Sequence, residues 1–275
     1  MISCQLMGGL GNQLFILFAC ISYSLEKDIP FVLENVEKTK GMTYRKTYWN
    51  TLLKSLQPFL KKEKIDFSLI VTQQNFFHSL IKEENVLLND YFQSPIYFEK
   101  HQEIIIELLQ IENRKKEILE KNSFYSPVVL NRSIALHFRI GDYLRIQDFH
   151  NILPYEYYKN ALQFIVSQIT FQPIILYFYE KKDEVMIKAC VDKLKKDFPK
   201  CFFLSINHQL EDWEQMLIMS LCSHNIIANS TFSWWGAYFN SNKNKMVCYP
   251  SVWFGPKNTY NIRHLFPYEW NKIDF

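Results

Sequence analysis

Short apolar runs alternate with stretches whose apolar residues recur at helical spacing, most regularly in the second half of the chain. Ile134 to Phe138, Ile174 to Tyr179, Cys201 to Ser205, Asn225 to Ala228 and Met246 to Tyr249 read as strands. Tyr155 to Gln168, Asp183 to Lys196, Glu211 to Cys222 and Phe232 to Phe239 read as the helices between them. Strands alternating with helices of this length predict a parallel sheet covered on both faces. Such sheets take ligands beyond the carboxyl ends of their strands.

The first half is less regular. Ile2 to Met7 reads as a strand, Gly8-Gly9-Leu10-Gly11 as a loop, and a helix begins near Asn12. A strand at Pro30 to Leu33 completes a βαβ unit, whose crossover is right-handed. Glu34 to Lys64 has no clear period. Val86 to Asn89 reads as a strand and Tyr97 to Lys121 as helical, its charges spaced around Ile104, Ile105, Leu108, Leu109 and Ile111. Turn-forming Asn122, Ser123, Ser126 and Pro127 then mark a boundary between lobes 1–125 and 126–275. The apolar run Leu14 to Leu25 has no basic segment before it and no small-residue cleavage site after it. It is too short to cross a bilayer and is predicted to be a buried amphipathic helix, so the chain offers no anchor of its own.

Composition narrows the class. With 48% hydrophobic residues over 275 positions the chain buries a sizeable core, which excludes disordered and fibrous proteins. A formal charge of +3 is too small for nucleic-acid binding by bulk electrostatics, so any anion is met at a local site. Six scattered cysteines form neither a C-x-x-C pair nor a His-Cys cluster of metal-ligand spacing, and read as reduced core thiols of a cytosolic protein.

Three segments carry candidate chemistry. In Gly8-Gly9-Leu10-Gly11-Asn12-Gln13, Gly9 and Gly11 let backbone approach a phosphate at a helix N-terminus, with polar Asn12 and Gln13 at the loop mouth. The spacing fits neither the dinucleotide fingerprint nor a P-loop, and a plain tight turn capped by Asn12 is the structural alternative. In His137-Phe138-Arg139-Ile140-Gly141-Asp142-Tyr143, His137 and Arg139 share one face where a buried strand ends. The Arg139 fork suits a pyrophosphate held bidentately, and an Arg139–Asp142 ion pair closing the turn is compatible with it. In Asn229-Ser230-Thr231-Phe232-Ser233-Trp234-Trp235, hydroxyls and helix N–H groups suit phosphate oxygens, and Phe232 suits stacking on a base. An ordinary N-cap at Ser230 or Thr231 and a glycosylation acceptor at Asn229 are the alternatives, the latter failing in a cytosolic protein. Trp234 and Trp235 read as core.

G-G-L-G-N-Q near the start, H-x-R-x-G-D-Y mid-chain and N-S-T-F-S-W-W-G-A near the end together resemble the bacterial alpha-1,2-fucosyltransferase family. Asn89 to Ser94, Leu153 to Tyr158, Glu211 to Trp213 and Met219 to Cys222 extend the resemblance over nearly the whole chain, in order. It implies an α/β, GT-B-like architecture of two Rossmann-type lobes with mostly parallel sheets facing a cleft: an acceptor-side lobe 1–125 with the glycine loop, and a GDP-fucose-binding lobe 126–275. It further implies inverting transfer of L-fucose from GDP-fucose to a galactoside of an oligosaccharide or glycolipid acceptor, in surface-glycan or lipopolysaccharide synthesis. By the same resemblance Arg139 grips the pyrophosphate, His137 lines the nucleotide site, Ser230, Thr231 and Phe232 contact phosphate and base, and Asn12 reaches in from the first lobe. Two positions depart from the family pattern. Ile140 stands where a second arginine is common, and Phe178-Tyr179-Glu180-Lys181 replaces F-S-D-D, which points to Glu180 or Asp183 as the acid that reads guanine.

No D-x-D signature is present, so no metal cofactor is expected and GDP-fucose is a co-substrate. Arg139 and helix N-termini then stabilise the departing pyrophosphate, and Asp142 is the nearest carboxylate for a general base. No nucleic-acid partner is expected, and the location is cytoplasmic, with at most peripheral contact at the inner face of the membrane. Two other classes compete: a non-catalytic sugar-binding protein, which explains the aromatics alone, and a dinucleotide oxidoreductase, which lacks its fingerprint. A fucosyltransferase of another linkage is the nearer rival.

Overall fold

The computed structural model describes residues 1–275 apart from 40–43, 64–65 and 78–84. Chain contacts divide it into two units, Met1–Arg114 with Arg263–Phe266, and Lys115–Ile262 with Pro267–Phe275. Every pairing between its strands is parallel among the described residues.

In the first unit, β1 (Ile2–Cys4) leads into α1 (Leu10–Lys27). Two short strands, β2 (Leu33–Glu34) and β3 (Leu60–Lys61), pair with each other, and β4 (Leu69–Val71) lies beside β5 (Val86–Leu88), which lies beside β1. Phe31 bridges Ile2, so β1 has the β2 segment on one side and β5 on the other. Residues Leu14 to Ser24 of α1 are all buried, including Leu14 to Cys20 at 0% exposure. A helix apolar on all sides belongs inside the protein, and Phe15 and Phe18 both pack on Phe98. The predicted buried helix is present, with burial on every face instead of one. The helical stretch expected at Tyr97 to Lys121 is broken into α2 (Gln102–Leu108) and α3 (Ile111–Lys121), where Gln110 turns left-handed at φ 55°.

The boundary expected at residue 125 moves upstream, into α3. The reason is electrostatic: Lys115 is buried at 2% exposure, and its ammonium donates to the carbonyl of Phe239 at 2.6 Å, tying that half of α3 to the second unit. The turn-forming residues 122–127 serve that unit instead, with Pro127 opening the short α4 (Pro127–Leu130).

The rest of the second unit alternates as expected through β6 (Ser133–His137), α5 (Tyr155–Val166), β7 (Ile174–Phe178), α6 (Glu184–Asp197), β8 (Phe202–Ser205), α7 (Asp212–Met219), β9 (His224–Ile226), α8 (Thr231–Tyr238) and β10 (Val247–Pro250), and β11 (Asn271–Ile273), a strand the sequence does not predict, adds an edge. The strands line up as β8-β7-β6-β9-β10-β11. This is the doubly wound Rossmann order, in which the chain winds outward from β6 to β8 and then returns to β9 on β6's other side. β6 is buried at all five positions, as a strand covered on both faces must be. Ile134, Leu136 and Phe138 join Tyr157, Leu162, Ile175 and Leu194 in one core cluster.

Candidate active site

In a doubly wound sheet, the strand order reverses at a switch point, and the connections on either side diverge to leave a crevice beyond the carboxyl ends. In the second unit that point lies between β6 and β9, whose neighbouring pairs run from Ile134–His224 to Leu136–Ile226. His137 ends β6 and Phe138-Arg139 continues directly from it, while Asn229-Ser230-Thr231-Phe232 follows β9. Two segments far apart in sequence therefore meet at one place, and the His137 and Phe232 rings lie with centroids 5.5 Å apart.

Strand parity sorts the first segment. Phe138 and Ile140 are buried in the core cluster, while His137 and Arg139 take the other face. Ile140 thus stands at an apolar position, where an arginine's charge would be stranded in the core. Gly141 then turns the chain at φ 40°, and a Cβ there would approach Glu180 Oε1 at 3.0 Å, so the position favours glycine twice over.

Arg139 is held from several sides. Its Nη2 pairs with Asp142 Oδ1 at 2.5 Å, its Nη1 pairs with Glu180 Oε1, and its guanidinium lies 5.1 Å over the Tyr143 ring. The expected ion pair with Asp142 is present. The one with Glu180 is an addition that sequence reasoning missed, because residues 139 and 180 become neighbours only through the β6–β7 pairing of His137 with Phe178. The second oxygen of Glu180 meets Lys182 Nζ at 2.6 Å. Asp183 is buried, its Oδ2 accepting the Gly141 N–H at 2.8 Å. Glu180 and Asp183, the two acids that the sequence offers as guanine readers, are thus engaged here by the protein's own groups, Glu180 by two cations and Asp183 by a backbone N–H.

Asn229 is 1% exposed, which removes it as a glycosylation acceptor. Its Nδ2 donates to the carbonyls of Asn151 at 2.8 Å and Trp253 at 3.1 Å, and its own carbonyl accepts from Tyr143 Oη at 3.0 Å. Tyr143 thereby links Arg139 to the β9 end. Ser230 is the N-cap of α8, its hydroxyl accepting from the Phe232 N–H at 3.4 Å, so the plain capping role is filled. Thr231 and Phe232 open the helix half-buried, whereas Trp234 and Trp235 are both at 0% exposure and belong to the core.

Polar atoms left over at this place are informative, because buried polar atoms ordinarily find partners. His137 Nδ1, Arg139 Nε and Asn229 Oδ1 are all buried without one. So is Nδ1 of His150, whose ring stacks on Tyr143 at 4.6 Å, a neighbour no sequence motif announces. Burial, aided by the Arg139 charge, pushes the His137 imidazole down to about 3, so it is neutral in the physiological range. His150 is likewise pushed down, chiefly by burial, with Asp142 opposing and Arg139 adding to the shift.

The first unit has its own switch point, between β1 and β5. Gly8 follows β1 at φ 69°, but Gly9 is extended at φ −77° and caps α1, and Gly11, Asn12 and Gln13 lie inside its first turn. The loop is thus shorter than expected, with one left-handed glycine. Gln13 is fully buried and its Nε2 donates to the carbonyls of Gly8 at 3.2 Å and Lys46 at 2.9 Å, which gives it a bracing role. Asn12 is half-buried and its Oδ1 accepts from Gln93 Nε2 at 3.0 Å, joining the first turn of α1 to the loop after β5.

Among the described residues no group of three or more His, Cys, Asp or Glu is placed to hold a metal ion, and no helix is long and apolar enough to cross a membrane. All six cysteines are free thiols.

The family model of Glycosyl transferase family 11 matches residues 10–274. O-antigen biosynthesis glycosyltransferase WbnK of Escherichia coli is 26% identical over 298 aligned residues, which cover 94% of this chain and 96% of that protein. An Alpha-1,2-colitosyltransferase of Escherichia coli is 22% identical, with 98% of each chain covered. Among solved structures, E. coli ADP-heptose lps heptosyltransferase II matches at a TM-score of 0.37 with 13% identity, covering 59% of this chain and 43% of that one, a likeness too weak to support a conclusion.

Proposed function

The chain belongs to glycosyl transferase family 11, and on that premise we propose that it moves L-fucose from GDP-fucose to a galactoside hydroxyl in alpha-1,2 linkage, with inversion, in surface-glycan or lipopolysaccharide synthesis. The observation that carries this reading is the meeting of β6 and β9 at the switch point. There a guanidinium, a neutral imidazole, an aromatic ring and a helix N-terminus share one place with buried polar atoms left unpartnered. A nucleoside diphosphate supplies what they lack: anionic oxygens for Arg139 and the α8 N-terminus, a flat base for Phe232, and a polar edge for His137.

In a single displacement the acceptor oxygen bonds to the anomeric carbon as the bond to the diphosphate breaks, and the hydroxyl proton leaves to a base. Charge grows on the departing diphosphate, so a fixed cation stabilises the transition state more than the ground state. Arg139 is assigned that role. His137 adds polarity without charge, because its imidazole is neutral. Asp142, paired with Arg139 at 2.5 Å, orients the guanidinium.

Incubation with GDP-fucose and a panel of galactosides, with the product linkage read by NMR, tests the proposal. A single α-linked 1,2 product is the expected result, and no transfer to any galactoside overturns it. One observation favours a second reading: the relative named as a colitosyltransferase matches over 98% of both chains. GDP-colitose belongs in the same assay, and preference for it over GDP-fucose replaces the donor while leaving the rest of the mechanism.

A further inference from the structure

We infer that Glu180 is a positioning residue for the diphosphate-binding arginine, and that the segment after β7 exists to clasp the segment after β6. The inference rests on the donor reading above, since it assigns Arg139 a diphosphate to hold. Two contacts make the clasp. Glu180 pairs with Arg139 Nη1, and Asp183 Oδ2 accepts the Gly141 N–H at 2.8 Å. They fix the side chain at 139 and the backbone at 141, on either side of Ile140, which is itself anchored in the core.

Charge explains why Glu180 is needed. Arg139 is only 19% exposed at its side chain, and an arginine there without a counter-ion would be a nearly buried, uncompensated charge. Asp142 supplies one carboxylate from the same turn. A second, from just beyond β7's end, approaches the other Nη, so each terminal nitrogen has its own carboxylate. Lys182, 2.6 Å from Glu180 Oε2, provides that carboxylate with a second cation, so Glu180 keeps a partner when diphosphate oxygens compete for Arg139. A carboxylate committed in this way is a poor reader of guanine, which needs both oxygens free to accept from N1–H and the amino group.

The position of Glu180 has a packing counterpart. A Cβ at Gly141 would stand 3.0 Å from Glu180 Oε1, so the glycine clears the path by which the carboxylate reaches Arg139. Turn and clasp are one device.

The test is Glu180→Gln and Glu180→Asp, each measured for kcat, for GDP affinity by calorimetry, and for discrimination among GDP, ADP and UDP. A mispositioned guanidinium loses rate more than binding, so kcat for Glu180→Gln is expected to fall roughly tenfold or more, GDP affinity to hold or rise, and discrimination to hold. Glu180→Asp, which keeps the charge, is expected to recover part of the rate. Loss of discrimination with kcat retained assigns Glu180 to the base and overturns the inference, as does wild-type kcat in Glu180→Gln. A double-mutant cycle of Arg139→Ala with Glu180→Gln, read as Tm, measures the pair without any ligand. Should the wild-type protein bind no nucleoside diphosphate, the donor reading fails, and the cycle still decides the pair: additive Tm changes overturn it, and coupled ones uphold it.

Discussion

The two units end their central strands in similar loops but use them differently. After β1, the side chains near the glycine turn are largely occupied by their own unit: Gln13 Nε2 bonds to the carbonyls of Gly8 and Lys46, Thr39 Oγ1 bonds to Gly8 as well, and Asn12 is joined to Gln93. Gln13 Oε1 is the buried polar atom left over there. After β6 and β9, a charged group, two imidazoles and an amide all retain unpartnered buried atoms. Polar atoms cost free energy when buried unpaired, by about 1–3 kcal/mol each. A concentration of them at one switch point is what a ligand site looks like before its ligand binds, and a satisfied network is what a structural brace looks like.

The largest expected effect breaks that contrast on the second unit's side. Arg139→Ala is expected to lower kcat by roughly 10²-fold or more, the scale for losing one preorganised stabiliser, with GDP binding weakened less. Arg139→Lys, lacking the fork, recovers only part. Wild-type turnover in folded Arg139→Ala protein removes Arg139 from the site.

Acid sharpens the contrast through His137. Its folded value of about 3 lies below the ordinary 6.5, so between them the unfolded chain binds the proton and the folded protein does not. Stability therefore falls as pH drops below 6.5 toward 3, by about 2 kcal/mol at pH 5 at 1.36 kcal/mol per unit. Denaturant titration of wild type and His137→Phe at pH 7 and pH 5 checks this, and an equal pH dependence in both overturns it.

On the first unit's side, Gln13→Ala is expected to cost roughly 1–2 kcal/mol of stability for its two lost bonds, with kcat of the folded protein nearly unchanged. A kcat loss rivalling that of Arg139→Ala would make the glycine loop a catalytic element. The smallest expected effect is none at all: transfer is expected to persist in excess EDTA, and loss restored by manganese or magnesium would overturn the metal-free mechanism.

The amino-acid sequence by itself determined the class of the fold and the two segments that meet at the site. Period and length of the apolar runs set the β/α alternation from β6 to β10, because a strand buried on both faces can be little else. Parity along one strand separated Arg139 and His137 from Phe138 and Ile140. Only the tertiary structure decided which groups became neighbours. The pairing of β6 with β7 brought Glu180 to Arg139 and Asp183 to Gly141. Buried Lys115 drew half of α3 into the second unit, past the turn residues that mark a boundary in the sequence. His150 entered the site by stacking on Tyr143, from a loop without pattern. Local spacing encodes what a segment does with its own neighbours, whereas partners across a sheet are set by strand register, which no single segment contains.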